Sequence, residues 1–206
     1  MWIGGLPMFN KENISNFLAP IQNDNEDVIW VKVKRELLEE EKVIYLGTTY
    51  ISPTGNKQTI AKNFEKIGEE IGLFQSKGNI ILQGDLNAHT NNKDDIIITD
   101  EFDRDFGVEI PAVQHRNSED SSKTDRRGVE FLELCKARNM IIINGRKTGD
   151  PFGKITSFQW NGKAVVDYVI SSFELFRNIT FLKWVNTSHL FQITAPFSLK
   201  CTQNAT

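Results

Sequence analysis

The segment from Gly84 to His89 (Gly-Asp-Leu-Asn-Ala-His) places polar side chains directly after an apolar stretch of the chain. Asp85 and Asn87 are two residues apart, and alternate residues of an extended chain project from the same face. A carboxylate and an amide held side by side can orient an attacking water and contact a metal-bound phosphate. Gly, Asp and Asn are also common in a turn that ends a strand, and this alternative is the favoured one for the segment taken alone.

A second carboxylate, Asp167, lies inside the apolar segment Val165–Ile170. Burying a carboxylate is costly unless it is paired or hydrogen-bonded. His189 is a candidate partner, because an aspartate can fix the tautomer of an imidazole and stabilise its charged form. The alternatives are an aspartate satisfied by backbone donors and a histidine that only packs. Tyr50 ends another apolar segment, at a position where a tyrosine usually packs with its hydroxyl at the surface.

The hydrophobic pattern predicts the elements that position these residues. A helix is expected over 57–75, with Ile60, Phe64, Ile67, Ile71 and Phe74 on one stripe. A second helix is expected after a cap at Thr124 or Asp125, with Val129, Leu132 and Cys135 on its stripe and Phe131 alongside. Residues 90–125 are expected to be mainly loop, with a short strand at 106–110. The expected strands cover 28–33, 42–52, 79–83, 140–143, 156–160, 164–171, 180–185 and 190–199.

Strands outnumber helices in this pattern, and the helices are interspersed among them. A sheet-on-sheet core with helices on the outside is the natural arrangement. The 206 residues fit one domain, 1–206, with 39% hydrophobic and 25% charged residues. A formal net charge of -3 provides no overall basic field for nucleic acid, although a local basic patch would serve.

Cys135 and Cys201 are too few and too far apart for a disulfide framework or a zinc site. Both are expected to be buried in a reducing compartment. No apolar stretch is long enough for a membrane span, and no signal-peptide pattern is present at residue 1. The sequence therefore predicts an intracellular protein without a membrane partner, and the nucleus is a candidate compartment.

Taken in chain order, several segments resemble the endonuclease/exonuclease/phosphatase superfamily, and most closely the endonuclease domain found with reverse transcriptases in non-LTR retrotransposons. The family patterns are Tyr-x-x-Pro, Gly-Asp-Phe-Asn-Ala-His, Thr-x-Trp followed by Ile-Asp-Tyr, and Ser-Asp-His. The matching segments are Tyr50-Ile-Ser-Pro53, Gly84–His89, Thr156–Trp160 with Asp167-Tyr168, and Ser188-His189, and the helix and strand over 127–144 also match. The match covers about residues 28–195.

The resemblance implies an α/β sandwich of two mostly antiparallel sheets packed face to face, with helices outside. It also implies a magnesium-dependent phosphodiesterase that cuts one strand of DNA. Asp85 would orient or deprotonate the attacking water, and Asn87 would contact the phosphate. Asp167 would orient His189, which would hydrogen-bond the scissile phosphate. Tyr50 would contact the same phosphate or the leaving oxygen.

Departures from the family pattern predict a weakened site. The family's first strand, with an Asn, and a later strand, with a metal-binding Glu, lie upstream of the segment that residues 1–5 resemble, so the chain is expected to lack them. Ser188 replaces the usual Asp, which leaves Asp85 as a weak ligand for Mg²⁺, with Mn²⁺ as the alternative ion. Lost strands would leave a sheet edge that could support oligomerisation.

Three functions remain open on this basis. The first is a DNA endonuclease with impaired catalysis, and the second is a non-catalytic descendant that binds nucleic acid or protein. The third is a phosphomonoesterase or phospholipid hydrolase of the same fold. Arg126 and Arg127, with Lys123, Arg146 and Lys147, are candidates for a phosphate-contacting patch, for which the alternative is a solvated face.

Overall fold

The structure is a computed structural model that describes residues 2–3, 6–7, 16–35, 42–97, 115–160, 162–184, 191–194 and 198–201. Its helices are α1 (Lys57–Gln75), α2 (Arg126–Ala137) and α3 (Phe173–Asn178). Its strands are β1 (Trp2–Ile3), β2 (Leu6–Pro7), β3 (Leu18–Ile21), β4 (Val28–Val33), β5 (Ile44–Tyr50), β6 (Asn79–Asp85), β7 (Met140–Ile142), β8 (Ser157–Gln159), β9 (Gly162–Ala164), β10 (Asp167–Ser172), β11 (Phe181–Trp184), β12 (Phe191–Thr194) and β13 (Ser198–Cys201).

Within these residues, the central sheet has the strand order β3-β4-β5-β6-β10-β7. Strands β5 and β6 run parallel, and the other neighbours in this sheet run antiparallel. Helix α1 connects the parallel pair, as a parallel pairing requires a long crossover. Strands β11, β12 and β13 form an antiparallel sheet, and β8 pairs with β9 in a separate hairpin.

Helices α1 and α2 cover one face of the central sheet. Trp30, Leu82 and Tyr168 on this face pack with side chains of both helices in one buried cluster. On the opposite face, Leu46, Ile81 and Val169 pack with α3 and with Leu182 of β11. The layers are therefore helices, central sheet, and a second layer that includes β11, which confirms the sandwich with outer helices.

Helix α1 forms over the predicted residues and buries the predicted stripe. Its N-cap, Asn56, accepts hydrogen bonds from the backbone N–H groups of Gln58 and Thr59, both at 3.0 Å. Helix α2 is capped by Asp125, which is one of the two predicted caps.

The apolar stripe predicted for α2 is wrong at Val129, whose side chain is 45% exposed. The buried stripe is Gly128, Phe131, Leu132 and Cys135, with Leu134 beside it. These positions follow the spacing i, i+3, i+4 and i+7 of one helix face. Gly128 begins the stripe without an apolar side chain, so the hydrophobic pattern placed Val129 there instead, while Leu132, Cys135 and Phe131 are buried as predicted.

Several predicted strands differ from the observed ones. The segment 164–171 is not one strand, because β9 ends at Ala164 and β10 begins at Asp167. The segment 190–199 contains parts of two strands, β12 and β13, which pair as a hairpin. Strand β3 and helix α3 were missed, since each is short and lacks a strong period. The strand predicted at 106–110 lies outside the described residues.

The outer strands of the central sheet are β3 and β7. Strand β3 contains Pro20, which has no backbone N–H to donate and so hinders pairing with a further strand. Oligomerisation through this edge and a single domain over 1–206 both stay predictions. None of the helices in the described part of the chain is both long and apolar enough to cross a bilayer.

The substitution Gly128→Ala is expected to lower the free energy of unfolding by about 1 to 3 kcal/mol. A Cβ atom at Gly128 would lie 1.9 Å from the backbone oxygen of His89, so the helix or the loop must move. The midpoint of urea denaturation measures the change.

Gly68→Ala in α1 is the matched control, because a Cβ atom there would meet its nearest neighbour, Arg138 Nε, at an ordinary 3.6 Å. We expect it to raise stability by about 0.5 to 1 kcal/mol, the usual gain for Gly→Ala in a helix. Equal midpoints for the two variants would contradict the close approach of α2 to the loop at His89.

Candidate active site

Tyr50, Asp85 and Asp167 form one row across three neighbouring strands. Tyr50 pairs with Asp85 in the parallel β5–β6 register, and Asp85 pairs with Asp167 in the antiparallel β6–β10 register. Cα atoms of directly opposed residues in an antiparallel pair lie roughly 4.5 to 5.5 Å apart, with side chains on the same face. Two predicted carboxylates and the predicted tyrosine therefore meet at one end of the sheet.

The face on which this row lies follows from the alternation along each strand. Ile81 and Val169 belong to the cluster beneath α3 and β11, and each is an even number of residues from its aspartate. Asp85 and Asp167 therefore project toward the second layer and away from α1 and α2. Tyr50, which is 43% exposed, marks the outer end of the row.

Gly84 allows β6 to approach β5 immediately before Asp85. Its φ of +144° is rarely adopted by residues with a side chain, and a Cβ atom there would lie 1.8 Å from the backbone oxygen of Thr49. Glycine is therefore required by both the backbone conformation and the available space. This requirement is the physical reason for a Gly-Asp sequence at the end of the strand.

Asn87 lies in a tight turn in which both its backbone N–H and its side-chain amide donate hydrogen bonds. Its backbone N–H donates to Asp85 Oδ1 at 2.9 Å, and its Nδ2 donates to the backbone oxygen of Ile51 at 2.9 Å. Its φ of +45° is in the left-handed region, which Asn tolerates better than most residues. The turn-forming and the functional explanations of this segment thus apply together, because the turn is what places Asn87 beside Asp85.

Asp167 is fully buried, and its backbone is held from two sides. Thr156 Oγ1 accepts hydrogen bonds from the N–H groups of Val166 at 3.0 Å and Asp167 at 3.2 Å. Asn144 Nδ2 donates to the backbone oxygen of Asp167 at 3.2 Å, while Asn144 Oδ1 accepts from the N–H of Val169 at 2.9 Å. The backbone of Asp167 is therefore held by two polar side chains from other segments.

The Tyr168 hydroxyl is hydrogen-bonded to the loop that follows Asp85. Its hydroxyl lies 2.8 Å from the backbone oxygen of Ala88, 2.9 Å from that of Val165 and 3.0 Å from Thr90 Oγ1. Burial raises the pKa of Tyr168, so the hydroxyl stays protonated and can donate. The sequence pattern included Tyr168 as a motif residue, but no feature of the sequence showed that it holds this loop.

The predicted phosphate-contacting patch is wrong at two of its five positions. Arg146 is buried and makes a bidentate ion pair with Asp95, with N–O distances of 2.7 and 2.8 Å. The Lys147 ammonium lies 3.7 Å from the centre of the Phe176 ring and donates to the Phe176 backbone oxygen. Burial lowers the pKa of Lys147 to about 8, and the nearby Arg146 charge adds to this effect. Both side chains serve the packing of the protein.

Arg126 and Arg127 lie in the first turn of α2, near the loop after Tyr50. Arg127 donates to the backbone oxygens of Ser52 and Pro53, and so joins this turn to that loop. Arg126 makes an exposed ion pair with Glu130 at 2.8 Å. A pair of this kind is worth little, so the Arg126 guanidinium can exchange Glu130 for another anion.

His189 and Ser188 lie outside the described residues, in the segment between β11 and β12. In the described part of the chain, no group of three or more His, Cys, Asp or Glu side chains could hold a metal ion. The oxygen donors of Asp85 and of the neighbouring Asn87 suit a hard cation such as Mg²⁺.

The substitution Thr156→Val is expected to lower the free energy of unfolding by about 1 to 3 kcal/mol, because it leaves the N–H groups of Val166 and Asp167 without their acceptor. Thr156→Ser keeps the hydroxyl and serves as the control. Urea denaturation gives the free energy, and amide hydrogen exchange at residues 166 and 167 reports the local bonds. Equal exchange rates at these amides in both variants would contradict this role for Thr156.

No protein-family model matches the sequence, and no curated protein matches it. Solved structures do match its fold. A 3′ phosphatase from Neisseria, bound to a product DNA hairpin, has a TM-score of 0.50 and 11% sequence identity, over 90% of this chain and 67% of that chain.

Two further structures match at lower TM-scores. The endonuclease domain of TRAS1, a telomere-specific non-LTR retrotransposon, has a TM-score of 0.49 and 14% identity, over 91% of this chain and 68% of that chain. The catalytic domain of Xenopus laevis APE2 has a TM-score of 0.46 and 12% identity, over 87% of this chain and 56% of that chain. The chain has the endonuclease/exonuclease/phosphatase fold, as its motifs predicted.

Proposed function

We propose that the protein is a metal-dependent phosphodiester hydrolase of the endonuclease type that acts on DNA. The observation that carries this proposal is the row of Tyr50, Asp85 and Asp167 at one end of the central sheet. The row brings together residues from three segments that are separate in the sequence. The turn at Asn87 adds an amide to the same edge.

Asp85 orients or deprotonates the attacking water in this proposal. Its Oδ1 accepts the Asn87 N–H, which fixes the direction of the carboxylate. The Asn87 amide nitrogen uses one hydrogen for Ile51 and retains a second, which can be donated to a phosphate oxygen. Tyr50, at the exposed end of the row, contacts the same phosphate or the leaving oxygen through its hydroxyl.

Asp167 orients His189, and His189 hydrogen-bonds the scissile phosphate. A buried carboxylate is suited to this task, because it holds an imidazole in one tautomer and stabilises its charged form. Asp167 is itself held through its backbone by Thr156 and Asn144. The proposed partner would therefore be positioned by a carboxylate on a firmly held stretch of backbone.

Asp85 would hold Mg²⁺, with Ser188 in place of the usual Asp, and Mn²⁺ is the alternative ion. When bound, the metal neutralises the phosphate oxygens and the leaving group. Mg²⁺ is commonly held by one or two carboxylates together with substrate phosphates and water. A site with this few protein ligands is expected to have weak affinity for the free ion.

The β8–β9 hairpin supports DNA as the substrate. Phe158 is 77% exposed and Trp160 is 97% exposed, and the exposed Lys154 and Lys163 lie close to them in sequence. Exposed aromatic rings with nearby cations suit stacking on bases and contact with phosphates. The hairpin follows Thr156, whose hydroxyl holds the start of β10, so it is anchored next to the candidate site.

The second candidate function is a non-catalytic domain that binds nucleic acid or protein. The observation that favours it is the lack of a cluster of three metal-ligating side chains among the described residues, together with Ser188 in place of the usual Asp. The exposed hairpin would be retained in such a domain. Catalysis therefore separates the two candidates, and DNA binding does not.

Nicking of supercoiled plasmid in Mg²⁺, and then in Mn²⁺, tests the proposed function. We expect Asp85→Asn to reduce the rate by about 100-fold or more, because a positioned acid or base contributes on the order of 10² to 10⁴. His189→Ala should show a loss of similar size. Glu65→Gln, an exposed carboxylate on α1, is the matched control and should leave the rate unchanged.

The two candidates predict different results in this assay. Nicking by the parent and by Glu65→Gln, but by neither site variant, would establish the hydrolase. No nicking by folded parent protein in either metal would favour the non-catalytic domain. Nicking by all variants at one rate would show a contaminating nuclease and would remove support for the proposed site.

Trp160→Ala is expected to weaken DNA binding by about 5- to 100-fold, because stacking of one base on an aromatic ring is worth roughly 1 to 3 kcal/mol. Fluorescence anisotropy with a labelled DNA strand measures the affinity. Trp160→Phe keeps an aromatic ring and should retain most of the DNA affinity. Leu73→Ala, which removes an exposed apolar side chain from α1, is the control for loss of apolar surface. An unchanged affinity for Trp160→Ala would exclude the hairpin as a contact.

A further inference from the structure

A second Asp–His pair lies on the loop that carries Asp85. The Nδ1 atom of His89 is 2.9 Å from Asp120 Oδ2. The Asp120 side chain is 1% exposed, whereas the His89 side chain is 31% exposed. One ring nitrogen of His89 is thus held by a buried carboxylate, while the side chain remains partly exposed.

The hydrogen bonds of Asp120 determine the protonation of the ring nitrogen of His89 that faces it. Its carboxylate also accepts from the backbone N–H groups of Ser122 at 2.8 Å and Val165 at 3.2 Å. Burial raises the pKa of Asp120, but hydrogen bonds from Ser122, His89 and Val165 outweigh this effect, and the net pKa is lowered. The carboxylate is therefore ionised and can only accept, so His89 Nδ1 carries a proton and is the donor to Asp120. Nε2 is the ring nitrogen that Asp120 does not engage, and in the imidazolium form it carries a proton that can be donated to a phosphate oxygen.

The backbone of His89 is also hydrogen-bonded to Asp125, the N-cap of α2. Its backbone N–H donates to Asp125 Oδ1 at 3.0 Å, and its backbone oxygen accepts from the Asp125 N–H at 3.1 Å. The N-terminus of a helix favours anions, and the first turn of α2 carries Arg126 and Arg127. Among the described residues, the charged groups hydrogen-bonded to His89 are the carboxylates of Asp120 and Asp125, both of which also accept from backbone donors, and the two arginines follow Asp125 in the first turn of α2.

We propose, resting on the proposed function, that His89 and Asp120 form a phosphate-binding element, in which His89 Nε2 contacts a backbone phosphate of bound DNA beside the scissile one. His89 follows Asp85 by four residues, a distance of at most about 14 Å along an extended chain. One strand of DNA rises about 3.4 Å per nucleotide, so the two residues address phosphates within about four nucleotides of each other. Asp120 acts through His89 as a positioning residue.

Two substitutions separate this role from a purely structural one. In His89→Asn, the amide nitrogen replaces Nδ1 as a donor to Asp120, but nothing replaces Nε2. In His89→Gln, the amide nitrogen reaches the position of Nε2, but the bond to Asp120 is lost. His115→Asn, at an exposed histidine, is the matched control.

The measurement is binding of a labelled duplex DNA without metal, by fluorescence anisotropy across a range of salt concentrations. We expect His89→Asn to weaken binding by about 3- to 10-fold and to reduce the salt slope by about one, the loss of one phosphate contact. His89→Gln should retain more affinity than His89→Asn, and His115→Asn should match the parent. If His89→Asn has the affinity and the salt slope of the parent, the proposal is wrong and the His89–Asp120 pair has only a structural role.

Titration of the parent protein with inorganic phosphate, followed by the imidazole resonances in NMR spectra, gives a second readout. The His89 resonances should shift with phosphate, and those of His115 should not. If the parent does not bind DNA, an absence of the His89 shift overturns the proposal. Nicking by the parent protein is measured separately from DNA binding. If the parent does not nick DNA but His89→Asn binds DNA more weakly than the parent, the hydrolase proposal is refuted and the phosphate contact is supported.

Discussion

The placement of β6 between β5 and β10 is the constraint on which the candidate site depends. It opposes Asp85 to Tyr50 on one side and to Asp167 on the other. A shift of either pairing by one residue would turn the aspartate toward the other face of the sheet, because side chains alternate along a strand. Gly84 makes the pairing possible, since any side chain there would meet the backbone of Thr49. The chemistry available at this edge is thus set by a backbone requirement one residue before Asp85.

The polar groups around the row fasten separate segments to one another. Thr156 and Asn144 hold the backbone at the start of β10, and Tyr168 holds the loop after β6. Each of these bonds connects residues that are distant in the sequence, so the loop and the strand ends are fixed by several partners. This arrangement suits a site that must present carboxylates and amides to a charged ligand in a fixed geometry.

Burial determines which positively charged side chains can contact a ligand. Arg146 and Lys147 have the same charge as Arg126 and Arg127, but the first two are committed to Asp95 and Phe176 inside the protein. A net charge of -3 means that attraction of DNA would rest on local features. The described surface offers two of them, the first turn of α2 beside His89 and the hairpin with exposed aromatic rings. Both adjoin the elements that carry the row, which would place a bound strand across one edge of the sheet.

The sequence by itself determined the elements with strong hydrophobic periods and, through the order of its motifs, the candidate site residues. Helix α1 and strand β4 have the predicted bounds, because apolar residues recur there at the spacing of one helix face or fill one short segment. Asp85, Asn87, Asp167 and Tyr50 each have a structural explanation when taken alone, and they could be singled out only because their order along the chain resembles the family patterns. The α2 stripe differs from the prediction at Val129, since Gly128 is buried for its small size and a hydrophobic pattern does not register it. Only the tertiary structure decided that the two aspartates face each other, because the strand order and register depend on contacts between residues more than 80 positions apart. The Asp120–His89 pair was likewise decided by packing, because it joins residues 31 positions apart and the Val165 N–H that also donates to Asp120 lies 45 positions away.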